Sequence, residues 1–353
     1  MTIKIFFVSL VFLTLVFGQS PSCLDESGNF VDWWIIYKYP VNSGADAEGY
    51  GYAYGDANSP TIVPTGKRVD QNLDGALGST FKQAWNNKGS SSVGWLFYND
   101  QIESELDTTS MAHSKGAVIW DEQTAAWIIH SLPKFPPPTS HPYSIPDSGD
   151  VYGQTFFCVS MNFKDVDDIG LSLRYRRALT FDYNFPSSYV SSLPNIHKTI
   201  YDDYIDGPIT LTQHFSTIKN VDFVSFAKTK EWATDLGLTI YEDLVQPELG
   251  IDAAWQTWTN GAGGKQPSFC KSNGYEWDSV NILYVQIDDS ITWKQTKDHA
   301  KWGVSLTPGR DYVCFSGINR MDSQMSRGGG AVCLKHDGIY NSFKGFIQER
   351  DYC

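Results

Sequence analysis

Two patterns of apolar and polar positions recur along the chain. Short runs rich in β-branched and aromatic residues, bounded by Gly, Pro, Asn or Asp, predict strands over residues 31–39, 93–98, 156–161, 209–214, 280–287 and 331–334. Helical spacing appears in fewer places. Leu77, Phe81 and Trp85 share one face of 77–85, 163–175 is weakly helical across Gly170, and 223–236 holds one helix. Phe343 and Phe346 face inward in a final amphipathic segment over 339–347. Residues 42–74, crowded with Gly, Pro, Asp and Asn, read as surface loop with short extended pieces such as Gly51-Tyr52-Ala53-Tyr54. Residues 133–146 form a proline-rich loop with a stiff Pro136-Pro137-Pro138 core, and 183–208 is turn-rich, the expected crossing between two halves. The pattern predicts an α/β protein of two mixed sheet-and-helix lobes.

The ends and the composition sharpen this picture. Met1-Thr2-Ile3-Lys4, an apolar run over 5–17 and Gly18-Gln19-Ser20 have the charge, greasy core and small-residue exit of a secretory signal peptide, placed at 1–20. The run is short for a bilayer crossing, and no later stretch is long and apolar enough to span, so no membrane span is expected. An apolar fraction of 41% with 14% aromatics excludes disorder. Six cysteines lie beyond residue 20, an even number that in an exported chain implies a disulfide set whose pairing the spacing leaves open. A net charge of −13 opposes a polyanionic partner at neutral pH and argues against a general nucleic-acid binder. In acid that repulsion fades, because His gains charge near pH 6.5 and carboxylates neutralise near 4.

The candidate chemistry comes from one arrangement used twice. His113-Ser114-Lys115-Gly116 and His299-Ala300-Lys301-Trp302 each put His and Lys two apart around a small spacer. In an extended segment, alternation sends His and Lys to one face. Each pair leads an apolar run, a turn-like segment (Asp121-Glu122-Gln123-Thr124 or Thr307-Pro308-Gly309-Arg310) and an apolar return, which reaches His130-Ser131 or Ser316-Gly317 at equal distance from the leading His. Hairpins are therefore expected over 112–131 and 298–318. Such a pair suits phosphate. Lys supplies a charged donor, while His is a nucleophile when neutral and an acid when protonated. Two such faces brought together would set one His on each side of a phosphodiester, with two Lys between them.

Other candidates are weighed beside these. His130 is a supporting hydrogen-bonding residue near the phosphate or a packing residue beside Trp127. Asn319 and Arg320, past the second hairpin, are placed to hold the phosphate or orient a histidine, and Lys134 is a rim residue in the first copy. Arg327-Gly328-Gly329-Gly330 offers an Arg beside uncovered backbone that DNA phosphates could approach. The acidic pairs Asp121-Glu122, Asp167-Asp168, Asp202-Asp203 and Asp288-Asp289 share no framing and read as solvated surface rather than a two-metal site. There is no Cys-x-x-Cys zinc spacing, Gly-rich nucleotide loop or Gly-x-Ser-x-Gly elbow, so neither metal nor cofactor is expected.

Several stretches carry a resemblance. They are Val31-Asp32-Trp33-Trp34-Ile35-Ile36-Tyr37-Lys38, Leu96-Phe97-Tyr98-Asn99-Asp100, the two His-x-Lys segments, Ile129-His130-Ser131-Leu132-Pro133-Lys134-Phe135, Tyr152-Gly153-Gln154-Thr155, Ser225-Phe226-Ala227-Lys228, Asn319-Arg320 and Arg327-Gly328-Gly329-Gly330. Over almost the whole mature chain the sequence resembles the deoxyribonuclease II family, acid endonucleases of lysosomes and secretions. That family is similar to the phospholipase D-type phosphodiesterases, whose two His-x-Lys motifs meet across a pseudo-twofold axis. The resemblance implies a phospholipase D-like pseudo-dimer in one chain, with lobes at 21–185 and 186–353. It implies catalytic His113, Lys115, His299 and Lys301, with His130, Asn319, Arg320 and Arg327 in support.

The resemblance also implies metal-independent hydrolysis of double-stranded DNA through a phosphohistidine, leaving 3′-phosphate and 5′-hydroxyl ends. A lysosomal or secreted setting, including clearance of apoptotic DNA, would follow from it. It implies the disulfides Cys23–Cys158, Cys270–Cys353 and Cys314–Cys333. Two departures stand out. Vertebrate members usually have Cys where this chain has Gly303, and no Asn-x-Ser/Thr glycosylation site occurs. The rival readings are a phospholipase D-type lipid phosphodiesterase and a secreted DNA-binding protein without catalysis.

Overall fold

The protein is described by a computed structural model covering residues 20–44, 46–102, 108–261 and 263–353, so the signal peptide expected at 1–20 lies outside the described residues but for Ser20. The first eight strands are β1 (Trp33–Lys38), β2 (Gly51–Asp56), β3 (Ser59–Arg68), β4 (Gly94–Asn99), β5 (Lys115–Trp120), β6 (Thr124–His130), β7 (Gln154–Asn162) and β8 (Thr180–Asn184). They form one sheet in the order β3-β2-β1-β7-β6-β5-β4-β8. The remaining nine are β9 (Thr210–Ser216), β10 (Asp222–Lys228), β11 (Ala253–Gln256), β12 (Ser279–Asp288), β13 (Ile291–Lys294), β14 (Trp302–Ser305), β15 (Tyr312–Ser316), β16 (Gly329–Lys335) and β17 (Ile347–Arg350). They build a second sheet ordered β13-β12-β11-β14-β15-β16-β10-β9, with β17 on β12. Its β11 and β12 run parallel, whereas the pairs β5–β6 and β14–β15 that follow the two His-x-Lys segments are antiparallel.

The centres of the two sheets are wound alike. The runs β1-β7-β6-β5-β4 and β10-β16-β15-β14-β11 each place the first strand of the set beside the last, then step back through the chain. These strands are apolar on both faces because both faces are covered. Between the sheets, Trp33, Ile35, Tyr37, Trp120 and Trp127 meet Trp302, Val304, Phe315 and Val332, and Phe157 stacks on Phe315 with ring centroids 4.8 Å apart. Helices α2 (Val166–Arg176), α3 (Pro194–Ile200) and α6 (Asp337–Gly345) contribute Ile169, Ile196 and Phe343 to this layer. The outer face of the first sheet packs under Leu77 and Phe81 of α1 (Ala76–Asn86). That of the second packs under α4 (Lys230–Leu236), α5 (Gln246–Leu249) and the turn between them, with Ile240, Tyr241 and Leu249 against Phe226 and Trp255.

Three expectations change. The single helix expected over 223–236 is a strand and then a helix. Phe223, Val224, Phe226 and Ala227 are buried on both faces between β9 and β16, and α4 starts only where the Thr229 hydroxyl accepts the Trp232 N–H at 3.3 Å. A short apolar run has no period that separates a buried strand from a buried helix. The loop expected over 42–74 contains β2 and the ten-residue β3, whose Pro60 and Pro64 are tolerated because β3 is an edge strand. The turn-rich tract over 183–208 begins inside β8 and holds α3, which has proline in its first turn.

The disulfides are Cys23–Cys158, Cys270–Cys353 and Cys314–Cys333, the pairs the resemblance implies. Each joins residues on the same side of the change from first to second sheet. At Gly303 an added Cβ would lie 2.0 Å from the Trp255 ring, so the indole fills the space that a cysteine would need. Among the described residues no helix is long and apolar enough to cross a membrane.

Candidate active site

Both His-x-Lys segments enter the central strands of their sheets. Lys115 pairs with His130 across β5 and β6, and at the matching place the Ser316 N–H donates to the Lys301 carbonyl at 2.9 Å. Each leading histidine is fastened by the other sheet. The His113 N–H donates to the Gly328 carbonyl at 3.1 Å, before β16, and the His299 N–H donates to the Gly153 carbonyl at 2.9 Å, before β7. The His113 ring is fixed from the same direction, because its Nδ1 bonds to the Gly317 carbonyl. A carbonyl only accepts, so Nδ1 carries the hydrogen and the neutral ring keeps its lone pair on Nε2.

The two pairs come together. His113, Lys115, His130 and Lys301 line one small cavity with Gly317. The charges of Lys301, Lys115 and His113 all bear on His299. The His299 ring lies flat on Tyr152, with centroids 3.8 Å apart at 8°, and against the Trp258 ring at 4.4 Å. The Lys301 ammonium donates to the His299 carbonyl at 2.6 Å.

The main electrostatic partner of this group is a residue to which the spacing assigned no role. Asp100 follows β4, is 1% exposed, and accepts from Lys115 and from Arg327, the latter at 2.8 Å, with His113 Nε2 at 4.0 Å. Burial alone would raise this carboxyl, but Lys115, His113 and Arg327 outweigh it and hold the group well below the carboxylate range. An acid at the very end of an apolar strand was the available signal. Asp298 was also missed. It is fully buried, accepts from the Tyr37 hydroxyl, from Trp293 Nε1 at 2.9 Å and from the Ala300 N–H at 2.9 Å, and is pushed up to about 6 by burial. Through Ala300 it fixes the spacer between His299 and Lys301.

The site is short of negative charge. Burial pushes His299 down to about 2, helped by Lys301 and Lys115, and burial takes His113 well below its usual value against the pull of Asp100. Burial, then Lys115, brings Lys301 down to about 7. Around a cavity lined by His113, Lys115, His130 and Lys301, the cations Lys115, Lys301 and Arg327 face Asp100 and the raised carboxyl of Asp298, a balance that an anion such as a phosphodiester would complete. Such an anion would also favour the protonated imidazoles.

The supporting residues divide. His130 lines the cavity and packs against Phe135 and Phe156, with centroids 5.3 and 5.7 Å away. Arg327 is spent on Asp100 and on the carbonyls of Met111, Thr108 and Ala112, so it braces the approach to His113. The glycines after it are buried rather than open to phosphate. A Cβ on Gly330 would lie 2.2 Å from the Phe226 carbonyl oxygen and 2.4 Å from the Arg176 guanidinium. Arg320 lies away from the cavity, fully buried, with its donors on Glu242, Asn281, Pro267 and Ser279. Asn319 lines a different small cavity beside Tyr241 and Met321. Lys134 is exposed on the proline-rich rim that also carries Pro136 and His141.

Comparison with known proteins gives a consistent result. A sequence model of the family described as Deoxyribonuclease II matches residues 22–353. Plancitoxin-1 of Acanthaster planci is 31% identical over 357 residues, covering 98% of this chain and 97% of the relative. Deoxyribonuclease-2 of Caenorhabditis elegans is 30% identical, covering 95% of each, and Deoxyribonuclease-2-alpha of Mus musculus is 30% identical, covering 98% and 97%.

Proposed function

The chain belongs to the deoxyribonuclease II family, an acid deoxyribonuclease by that membership, and on this premise we propose that it hydrolyses double-stranded DNA without a metal through a covalent phosphohistidine. Residues 21–185 and 186–353 are then the lobes of a phospholipase D-like pseudo-dimer. The observation that carries the reading is that His113, Lys115 and Lys301, from two like-wound sheets, line one cavity whose charge also bears on His299.

In this mechanism His113 Nε2, whose lone pair is left free by the Nδ1 bond to Gly317, attacks phosphorus in line. The N–P bond forms as the bond from phosphorus to the 5′ oxygen breaks, and His299 gives that oxygen its proton. Lys115 and Lys301 stabilise the pentacoordinate oxygens. A water molecule then attacks phosphorus, its proton goes to His299, and the N–P bond breaks, leaving 3′-phosphate and 5′-hydroxyl ends. Since His299 rests neutral, it takes its acid proton as the substrate phosphate offsets the lysine charges. That coupling favours acid pH. The duplex is held by its backbone, with little reading of bases. A lysosomal or secreted destination fits this chemistry.

Two expected results test the reading. Cleavage of plasmid DNA at about pH 5 should persist in excess EDTA, since His and Lys supply every role above. Loss on chelation, restored by Mg²⁺ or Ca²⁺, would end the metal-free mechanism. The second concerns binding. Lys301 is depressed to about 7, and a bound phosphate favours its charged form, so DNA binding takes up a proton wherever Lys301 is neutral. Affinity is therefore full below that value and falls as pH rises through it, by up to about tenfold per pH unit. Fluorescence anisotropy on His113→Asn protein, at constant ionic strength, should show this fall, and adding Lys301→Gln should flatten it. An unchanged slope in the double variant removes Lys301 as the titrating ligand.

A further inference from the structure

The first strands of the two central sets begin and end alike. Val31-Asp32 opens the approach to β1 and Lys38 closes it, while Val221-Asp222 opens β10 and Lys228 closes it at the same spacing. Both lysines are buried, at 0% and 1% exposure, and neither makes an ion pair with a carboxylate among the described residues. A lysine removed from water in that way is costly unless its donors are used. Here they are used in matching fashion. The Lys38 ammonium donates to the carbonyls of Tyr39 and Gly49 at 2.7 Å and of Asp150 at 3.3 Å, three acceptors for three hydrogens. The Lys228 ammonium donates to the carbonyls of Arg327 and, at 3.3 Å, of Met325.

The clamped loops are the ones that reach across to the histidines. In register, Lys38 lies opposite Gln154 and Lys228 opposite Gly329. The residue before each partner, Gly153 or Gly328, is the one whose carbonyl accepts the N–H of the opposite histidine, His299 or His113. The first loop also carries Tyr152, stacked on His299, and the second carries Arg327, bonded to Asp100 beside His113. We propose that Lys38 and Lys228 are a pair of positioning residues, each tying down the loop by which one lobe sets the histidine of the other: Lys38 sets His299, and Lys228 sets His113. The catalytic part of this rests on the reading that those two histidines perform the chemistry. Neither lysine is among the residues that line the cavity. Each acts through a carbonyl, a loop and a backbone bond, and the charge of Lys38 also bears directly on His299.

Methionine keeps the length and bulk of each side chain and removes the donors. Lys38→Met and Lys228→Met should each lower kcat on duplex DNA by about 10²-fold, the scale expected when a reacting group is displaced by about an ångström, with KM changed less than about twofold. A role in stability alone would not give crossed effects on the two rings. In ¹⁵N-labelled protein, Lys38→Met should move the His299 ring signals and speed exchange of the His299 amide while leaving both at His113, and Lys228→Met should do the reverse; the amide exchange separates a released loop from the loss of the Lys38 charge. Equal movement of both rings in both variants, or of neither, overturns the assignment, as does an unchanged kcat. Should a variant not fold, the wild-type protein decides. Its ¹⁵N-lysine spectrum should show the side-chain signals of Lys38 and Lys228 protected from solvent exchange, and fast exchange at either overturns the clamp. Normal cutting by His113→Asn and His299→Asn would instead bring down the functional reading, while the crossed ring shifts would still report the clamp.

Discussion

His299→Asn and His113→Asn are each expected to lose at least about 10³-fold in kcat/KM for duplex DNA at about pH 5 while keeping the native fold. The size follows from the proposed mechanism, in which one imidazole forms the bond to phosphorus and the other protonates the leaving oxygen, so that removal of either blocks the same step. The double variant should then be little worse than either single one, because residues acting as a unit do not add. Folding should survive because the bonds that fasten each segment, His113 N–H to Gly328 and His299 N–H to Gly153, come from the backbone. Activated DNA with a good 5′ leaving group separates the roles. It should rescue His299→Asn more than His113→Asn, and the opposite order would exchange acid and nucleophile without disturbing the shared site. Near-normal cutting by either single variant, with native circular dichroism, would refute the composite site.

Asp100→Asn is expected to be the most destabilising single change at the site, by about 3–5 kcal/mol in urea denaturation. The carboxylate is the common partner of Lys115 and Arg327, whose side chains are 4% and 14% exposed, and its loss leaves both cations confined without a counter-charge. The cost is that of the stranded cations. Lys115→Met added to Asp100→Asn should therefore recover part of it, a non-additivity of neighbours that a double-mutant cycle reads directly. The pH dependence has a definite sign. The folded carboxyl is held below its usual range, so its contribution is present above the unfolded value near 4 and is lost as pH falls through the folded one. The difference between wild type and Asp100→Asn should be the same at about pH 7 and about pH 5, shrinking only in stronger acid. Equal stability of the two proteins at neutral pH would mean that the Lys115 and Arg327 contacts carry no net energy.

Much of the site was legible because it is local. Side chains alternate along a strand, so His113 and Lys115, or His299 and Lys301, must share a face wherever the segment is extended. The frame that each hairpin repeats, with Lys115 opposite His130 and Lys301 opposite Ser316, is likewise set within a few residues of a turn. The even cysteine count pointed in the same way to a disulfide-bonded chain, and all six cysteines are paired. Arg320 and the glycine run misled for a related reason. An Arg beside Asn, or three glycines after an Arg, reads as a phosphate cradle when nothing tells whether it is buried. Glu242 and Asn281 around Arg320, and Arg176 against Gly330, decide that.

Between residues 223 and 228 the helix expected from the sequence is a strand, since an apolar run fits either until its neighbours are known. What the sequence by itself determined is two like faces of His and Lys, each on its own hairpin, in a chain with an even set of cysteines. The tertiary structure alone decided that the faces meet, that Asp100 balances one of them, that Gly317 selects the tautomer of His113, and that Tyr152 and Arg327 each cross to the other half. Apart from Asp100 with Lys115, those contacts join residues about 150 to 230 positions apart. A period of two or 3.6 says which way a side chain points along its own element, but the partner it finds depends on how two sheets pack.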